Sequence, residues 1–261
     1  MKKWMILILI AILLIVCICA YFNFKERKIA VFAYHKIVPQ EIKNEYYKDN
    51  KWVDTVERFE EQMKYLYENN YKTISMSEFE NWRNTDKRYP IKTVMITIDD
   101  GDLGIYYEIL PILKKYNFKA TMFIIGNKIN DVSEEYNPAK QQFIGRDLLE
   151  SIKKEYPNLE IQSHSFNLHN LNAKDLSLEE VKNDFIKMQK FETNIFCYPY
   201  GASSKKIKQG LEENNYKMAF TLDKSNLSSK KDDKYEISRI GINYETPFSN
   251  FKKWLIKQFI M

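Results

Sequence analysis

The sequence predicts an α/β domain in which parallel strands alternate with covering helices. Two observations carry this. From residue 28 onward, short apolar runs alternate about seven times with stretches whose apolar residues recur at helical spacing. No Ser/Gly/Pro linker, internal repeat or low-complexity tract interrupts the alternation, so 28–261 reads as one domain. Either an open doubly wound sheet or a closed barrel satisfies such a pattern. Both gather reactive groups at the C-terminal ends of the strands.

The elements follow in order. Ile29–Tyr34 (IAVFAY) reads as a buried strand, and Val56, Phe59, Met63, Leu66 and Tyr67 mark one helix face. Thr93–Ile98 (TVMITI) is the next strand. Ile109, Ile112, Leu113 and Tyr116 give a helical stripe with Pro111 in its first turn. Ala120–Ile125 is a strand, Leu148, Leu149 and Ile152 belong to a helix that stops before Pro157, and Glu160–Ser163 is a short strand. Ser177-Leu178-Glu179-Glu180 is a capping box, and it opens a helix with Leu178, Val181, Phe185 and Met188 on one face. Ile195–Tyr198 is a strand, Ile207 and Leu211 mark a helix, and Lys217–Thr221 and Glu236–Ile242 are the last strands. Phe248–Phe259 reads as a terminal helix.

The chain has 261 residues, 44% hydrophobic and 29% charged, which supports a sizeable core and argues against disorder. A net charge of +5, with basic residues scattered singly or in pairs, is too weak and diffuse to imply nucleic acid. With Cys17 and Cys19 in the N-terminal apolar stretch, Cys197 stands alone in the rest and a disulfide framework is excluded.

Residues 4–22 run WMILILIAILLIVCICAYF without a charge, flanked by Lys2 and Lys3 before and by Lys25, Arg27 and Lys28 after. Nineteen apolar residues approach the ~20 that span a bilayer and exceed the ~7–15 of a signal-peptide core. Residues 1–27 are therefore expected to form a transmembrane signal anchor. The domain 28–261 would then lie outside the cytoplasm at the cell membrane. The alternative is a secreted protein after cleavage near Ala20.

The strand TVMITI ends in Asp99-Asp100-Gly101, two adjacent carboxylates whose repulsion must be relieved by a cation, a proton or hydrogen bonds. A solvated Asp-Gly turn is the plain alternative. The next strand but one ends in His164-Ser165-Phe166-Asn167-Leu168-His169, placing two of the chain's three histidines within six residues. Such a pair at a strand end reads as metal-ligating. Imidazole suits zinc and other late divalent ions (Co2+, Ni2+ or Fe2+ among them), and an Asp oxygen completes a three-ligand site open to water. Tyr198-Pro199-Tyr200-Gly201 is a rigid aromatic turn that can aim a backbone N–H into a cleft and present rings for sugars to stack on; alone it reads better as an ordinary loop.

Taken together, Thr97-Ile98-Asp99-Asp100-Gly101, His164-Ser165-x-x-x-His169 and Tyr198-Pro199-Tyr200-Gly201, in this order, resemble the polysaccharide deacetylases of the NodB-homology type (carbohydrate esterase family 4). The resemblance spans roughly residues 29–245. The five-residue histidine gap with Leu168 before the second His, the strand ending in Tyr34-His35, and Phe196-Cys197-Tyr198-Pro199-Tyr200-Gly201 are similar to the subgroup that de-N-acetylates poly-β-1,6-N-acetylglucosamine. The resemblance implies a distorted (β/α) barrel of about seven parallel strands. It implies Asp100, His164 and His169 as ligands of a divalent metal, most readily Zn2+, with Asp99 as general base and the Tyr200 backbone N–H on the oxyanion. The implied substrate is an N-acetylated polysaccharide, and the chain is expected to act as a monomer.

Three departures matter. Cys197 stands where the family has an Arg that orients the base; the late Leu/His motif is missing; and of the Asp-x-x-Asp-Trp motif only Asp223 is nearby. Arg239, in Ile237-Ser238-Arg239-Ile240, is a candidate partner for Asp99 or an ordinary surface Arg. His35, the one histidine outside the pair, follows the strand IAVFAY and is a candidate general acid with a near-neutral imidazole. It reads equally as a packing or orienting residue. Two further readings stay open: an inactive carbohydrate-binding relative, and a non-haem iron oxygenase, which also uses two His and a carboxylate.

Overall fold

The computed structural model describes residues 28–86, 89–169, 171, 175–222 and 226–260, and of the N-terminal apolar run positions 4, 5, 7, 8, 10–14 and 16. Those N-terminal positions are helical and exposed, and among the described residues no helix is long and apolar enough to cross a membrane. The rest of the expected anchor, and Asp223, lie outside the described residues.

The strands are β1 (Ala30–Tyr34), β2 (Ile37–Val38), β3 (Asp54–Thr55), β4 (Lys72–Thr73), β5 (Thr93–Ile98), β6 (Ala120–Ile124), β7 (Leu159–Ser163), β8 (Ile195–Cys197), β9 (Met218–Phe220) and β10 (Ile240–Gly241). The main sheet runs β10-β1-β5-β6-β7-β8-β9, with β4 against the start of β5 and every pairing parallel. β2 and β3 form a small parallel pair of their own.

The two edges of this sheet are joined by the stretch 237–242. Ile237 exchanges backbone hydrogen bonds with β9 and the residue after it (to Ala219 O at 3.0 Å, from Thr221 N at 2.9 Å), and Ile242 donates to Ala33 O of β1 at 2.9 Å. The expected strand Glu236–Ile242 is thus regular only over Ile240–Gly241. It changes partner midway, leaving Ser238 and Arg239 between two ladders.

Side-chain alternation divides the core. Val31, Met95, Phe123, Ile195, Cys197, Met218, Phe220 and Ile237 meet inside the curled sheet, closed from below by Met76, Phe79 and Trp82 of the helix Met76–Asn84. That helix starts from a capping box of Ser75 and Glu78. Alternate strand residues such as Phe32, Val94, Ile96, Ile98, Met122 and Ile124 face the outer helices. Along β5 the inward series Met95, Thr97, Asp99 therefore passes from apolar floor to polar rim.

Two local expectations are corrected. The helix Val56–Glu68 buries Phe59, Met63 and Leu66, but Tyr67 is 58% exposed. It sits at the margin of the stripe and its ring meets Tyr116 at 5.4 Å. Pro111 does lie in the first turn of the helix Leu110–Tyr116, but that helix continues a π-helical turn, Ile105–Ile109. The wider turn accommodates a proline that has no N–H to donate to the preceding turn.

Candidate active site

Parallel register brings the predicted motifs to one rim. Tyr34 pairs with Ile98, Ile124 with Ser163, and Ser163 with Phe196. His35, Asp99, His164 and Cys197 each follow one of these positions, so all four emerge together. Each motif turn contains a non-glycine residue in the left-handed region: Asp100 (φ 74°), Ser165 (φ 73°) and Tyr200 (φ 56°). Three such residues around one cleft are a local strain that the surrounding hydrogen bonds must maintain. Gly101 (φ 73°) completes the first turn, and a Cβ there would press on Ile124 at 3.2 Å.

Asp100, His164 and His169 converge. Asp100 Oδ1 faces His164 Nε2 at 3.4 Å and His169 Nε2 at 3.1 Å. Neither contact is aligned as a hydrogen bond, so this buried oxygen has no hydrogen-bond partner among the described residues. Burial works to raise the Asp100 carboxyl, but the two imidazoles outweigh it and hold it well below the usual carboxylate range. His164 Nδ1 lies 2.8 Å from the Cys197 carbonyl oxygen. A carbonyl only accepts, so Nδ1 carries the hydrogen and Nε2 is the nitrogen available to a cation. Burial disfavours charge on His164, yet Cys197 and Asp100 raise its pKa well above the ordinary value. An oxygen without a hydrogen-bond partner and two imidazole nitrogens aimed at one point fit a divalent cation.

A second triad, Asp99, His164 and Cys197, is also compact enough to hold an ion. Its chemistry fits less well. Both Asp99 oxygens are taken, Oδ1 and Oδ2 each accepting from an Arg239 nitrogen at 2.7 Å. Burial pushes the Cys197 thiol up, away from the thiolate a metal needs.

Arg239 is fully buried, between the ladders of the closing stretch. Besides Asp99 it donates to Thr97 Oγ1 at 2.9 Å and to the Thr221 carbonyl at 3.0 Å, and its Nη2 touches Cys197 Sγ at 2.7 Å. Burial works to raise Asp99, but the guanidinium overrides it and holds the carboxyl at about 2. Arg239 thus partners Asp99, the part the resemblance gives to an arginine at position 197, and it approaches from a different stretch of chain, beside the small Cys197.

His35 Nε2 lies 3.8 Å from Asp99 Oδ2, and its ring rests on Trp52 at 4.8 Å. Its Nδ1 is buried without a hydrogen-bond partner among the described residues. Burial pushes this imidazole below 6.5, which corrects the expectation of an unperturbed histidine. Tyr200 is 69% exposed, with its ring against His169 at 4.9 Å. These groups, with Asn50, Tyr198 and Leu222, line a cleft of about 290 Å³.

The polysaccharide deacetylase family model matches residues 86–219, half of the chain and both motif turns that carry the acidic and histidine residues. The chain belongs to the polysaccharide deacetylase family. YxkH of Bacillus subtilis (strain 168), named for the same family, is 28% identical over 193 residues, covering 71% of this chain and 64% of that protein. The chain thus spans a little under two thirds of that relative's length. The poly-β-1,6-N-acetyl-D-glucosamine N-deacetylase of Staphylococcus aureus (strain MSSA476) is 26% identical over 258 residues, 89% of this chain and 84% of that one. In structure, the Streptococcus pyogenes deacetylase PplD, solved with acetate, superposes with a TM-score of 0.71 at 21% identity. It covers 88% of this chain and 99% of PplD, a likeness of fold.

Two supports of the candidate site escape the sequence motifs. Lys36 and Asp102 form a buried ion pair at 2.9 Å, tying the residue after His35 to the turn after Asp100. Asp184, from the helix Leu178–Met188, accepts the backbone N–H groups of Phe166 at 2.7 Å and Asn167 at 2.6 Å, inside the turn between His164 and His169. Burial raises Asp184 to about 6, so at neutral pH it is held ionised against that cost. Asp184→Asn should weaken metal binding by ~10–100-fold and lower Tm modestly, because each carboxylate oxygen holds one N–H donor and the amide can hold only one of the two. Titration with zinc under a competing chelator reads this; unchanged affinity would show that the turn holds itself.

Proposed function

We propose that this polysaccharide deacetylase is a metal-dependent hydrolase that removes N-acetyl groups from an N-acetylglucosamine polymer, poly-β-1,6-N-acetylglucosamine being the leading candidate. The observation that carries the reading is the joint placement of Asp100, His164 and His169 beside a separate carboxylate, Asp99, fixed by Arg239. The match to the S. aureus enzyme over most of both chains supports the polymer. The apolar run 4–22 supports an anchor that holds the domain 28–261 outside the cytoplasm, beside such a polymer.

A divalent cation, most readily zinc, held by Asp100, His164 and His169 would polarise the acetamide carbonyl and acidify the attacking water. Asp99 accepts the proton of that water. Arg239 keeps the carboxylate ionised beforehand and fixes its plane, so it points into the cleft without joining the cation's ligands. The Tyr200 N–H would donate to the developing oxyanion; the Tyr200 ring rests against His169. His35, 3.8 Å from Asp99 Oδ2 and uncharged at rest, would pass to the leaving amine the proton that Asp99 has taken from the water.

The function is tested by expressing the chain from Lys28, adding zinc and measuring acetate release from poly-β-1,6-N-acetylglucosamine, peptidoglycan and chitin oligomers. Release from the first, lost together with bound metal in His164→Ala and His169→Ala, is the expected result. Metal binding without acetate release from any glycan would favour an inactive binding relative. For His35→Ala, amide turnover should fall by ~10²–10⁴-fold at unchanged metal content. An activated aryl ester, whose leaving group needs no proton, should be cleaved nearly as before. Equal losses on amide and ester would make His35 an orienting residue.

A further inference from the structure

A second cleft, about 350 Å³, opens on the other side of the Asp100–His169 pair. Asp100 and His169 line both it and the first cleft, so the two meet at the proposed metal site. Its other walls are Ile125, Asn127, Lys128, Gln141, Phe143 and Asn167. Those walls are fastened to the motif turns. Gly126 and Asn127 donate backbone hydrogen bonds to the Ser165 and Phe166 carbonyls, each at 2.9 Å, and Asn127 and Asn167 are joined side chain to side chain. On the opposite wall Ile144 donates to the Gly101 carbonyl at 3.0 Å, and Leu103 to Gln142 at 3.0 Å. The cleft is therefore held in fixed relation to the reacting centre. Its volume falls in the ~300–1,000 Å³ range of small-molecule sites. It offers amides for hydroxyls, an aromatic face at Phe143 and one cation, Lys128, whose Nζ lies 5.5 Å from the Phe143 ring centroid. Among the described residues no carboxylate pairs with Lys128.

We infer that this cleft receives the sugar adjacent to the reacting unit, and that Lys128 makes it discriminate against a glucosamine already freed of its acetyl group. The inference rests on the reading of the chain as a deacetylase of an N-acetylglucosamine polymer. Deacetylation turns a neutral amide into a protonatable amine. The Asp100 carboxylate on the shared wall is already answered by His164, His169 and the ion they would hold, so an ammonium in this cleft would be left facing the Lys128 ammonium, whereas the neutral acetamide would not. The enzyme therefore avoids a unit whose neighbour on that one side has reacted, and spaces its products along the chain.

The test uses β-1,6-linked N-acetylglucosamine pentamers: fully acetylated, or carrying one glucosamine immediately before or immediately after the central unit. Acetate release from the central unit is located by mass spectrometry. On one side only, glucosamine should lower kcat/KM by about tenfold, mainly through KM, and the penalty should shrink as salt is raised. Lys128→Met should erase the difference between the two sides, and Lys128→Glu should invert it. Each variant is checked for wild-type Tm and metal content. A wild type indifferent to glucosamine on both sides, or a Lys128→Met variant that keeps the penalty, overturns the inference while leaving the deacetylase reading intact. No acetate from any pentamer would overturn that reading, and this inference with it.

Discussion

Asp99→Asn should reduce acetate release by ~10²–10⁴-fold while the metal remains bound. The amide cannot take up the proton of the attacking water, and Asp99 is not among the three converging ligands. The substitution also has a structural effect. Arg239 is fully buried and its charge is answered by the two Asp99 oxygens at 2.7 Å. An asparagine keeps one acceptor, presents N–H to N–H on the other side and leaves the guanidinium without a counter-charge. Tm should therefore fall together with activity. Metal content by mass spectrometry, Tm and turnover measured on one preparation separate the effects. Bound metal, a lowered Tm and near-normal turnover would place the base elsewhere.

Arg239→Met is expected to have the largest effect on stability, ~3–5 kcal/mol, because it strands a buried carboxylate. For a domain of this size that corresponds to a Tm lower by on the order of 10 °C. The pH dependence should change sign. In the wild type Asp99 is held at about 2, below the ~3.9 of an unfolded chain. Its contribution to stability is fully present above pH ~4 and is lost as pH falls towards 2. Without Arg239, burial leads and the folded value rises above the unfolded one. The contribution is then greatest below pH ~4 and declines as pH rises. Chemical denaturation of chelator-treated protein at pH 4 and 7 reads this directly. A variant that keeps the wild-type slope would show that another group supplies the counter-charge.

The legible parts of the site were those written as strand ends. Asp99, Asp100, His164 and His169 follow apolar runs, and parallel register alone brings such ends together. Arg239 was visible only as a candidate, because its partner lies 140 positions away and the stretch that carries it pairs with two different strands. Asp184 does carry a signal in the sequence. It lies three residues after Val181 and four before Met188, on the helix face predicted to be buried, where a carboxylate needs a reason. Lys36–Asp102 and the cleft around Lys128 left none. The ion pair joins two loops 66 positions apart, and the stretch 126–145 has no periodicity from which its path could be read. The fold was easier because alternation of side chains along β1 and β5 is dictated locally. What could not be foreseen was where regular pairing would stop.

The seam between β9 and β1 gives the order of synthesis a meaning. Nearly every wall of the site is complete once the chain has reached Leu222, yet the group that balances Asp99 arrives with Arg239, close to the end. Until then β1 and β9 are open edges that invite pairing with other chains, and the inward carboxylate at the top of β5 has no guanidinium opposite it. One short stretch closes both gaps at once. An unfinished or clipped chain lacking it would carry all three of the proposed metal ligands and still lack a settled Asp99. The capacity to bind an ion and the capacity to use it are thus separated along the chain, and the second comes only with a finished barrel.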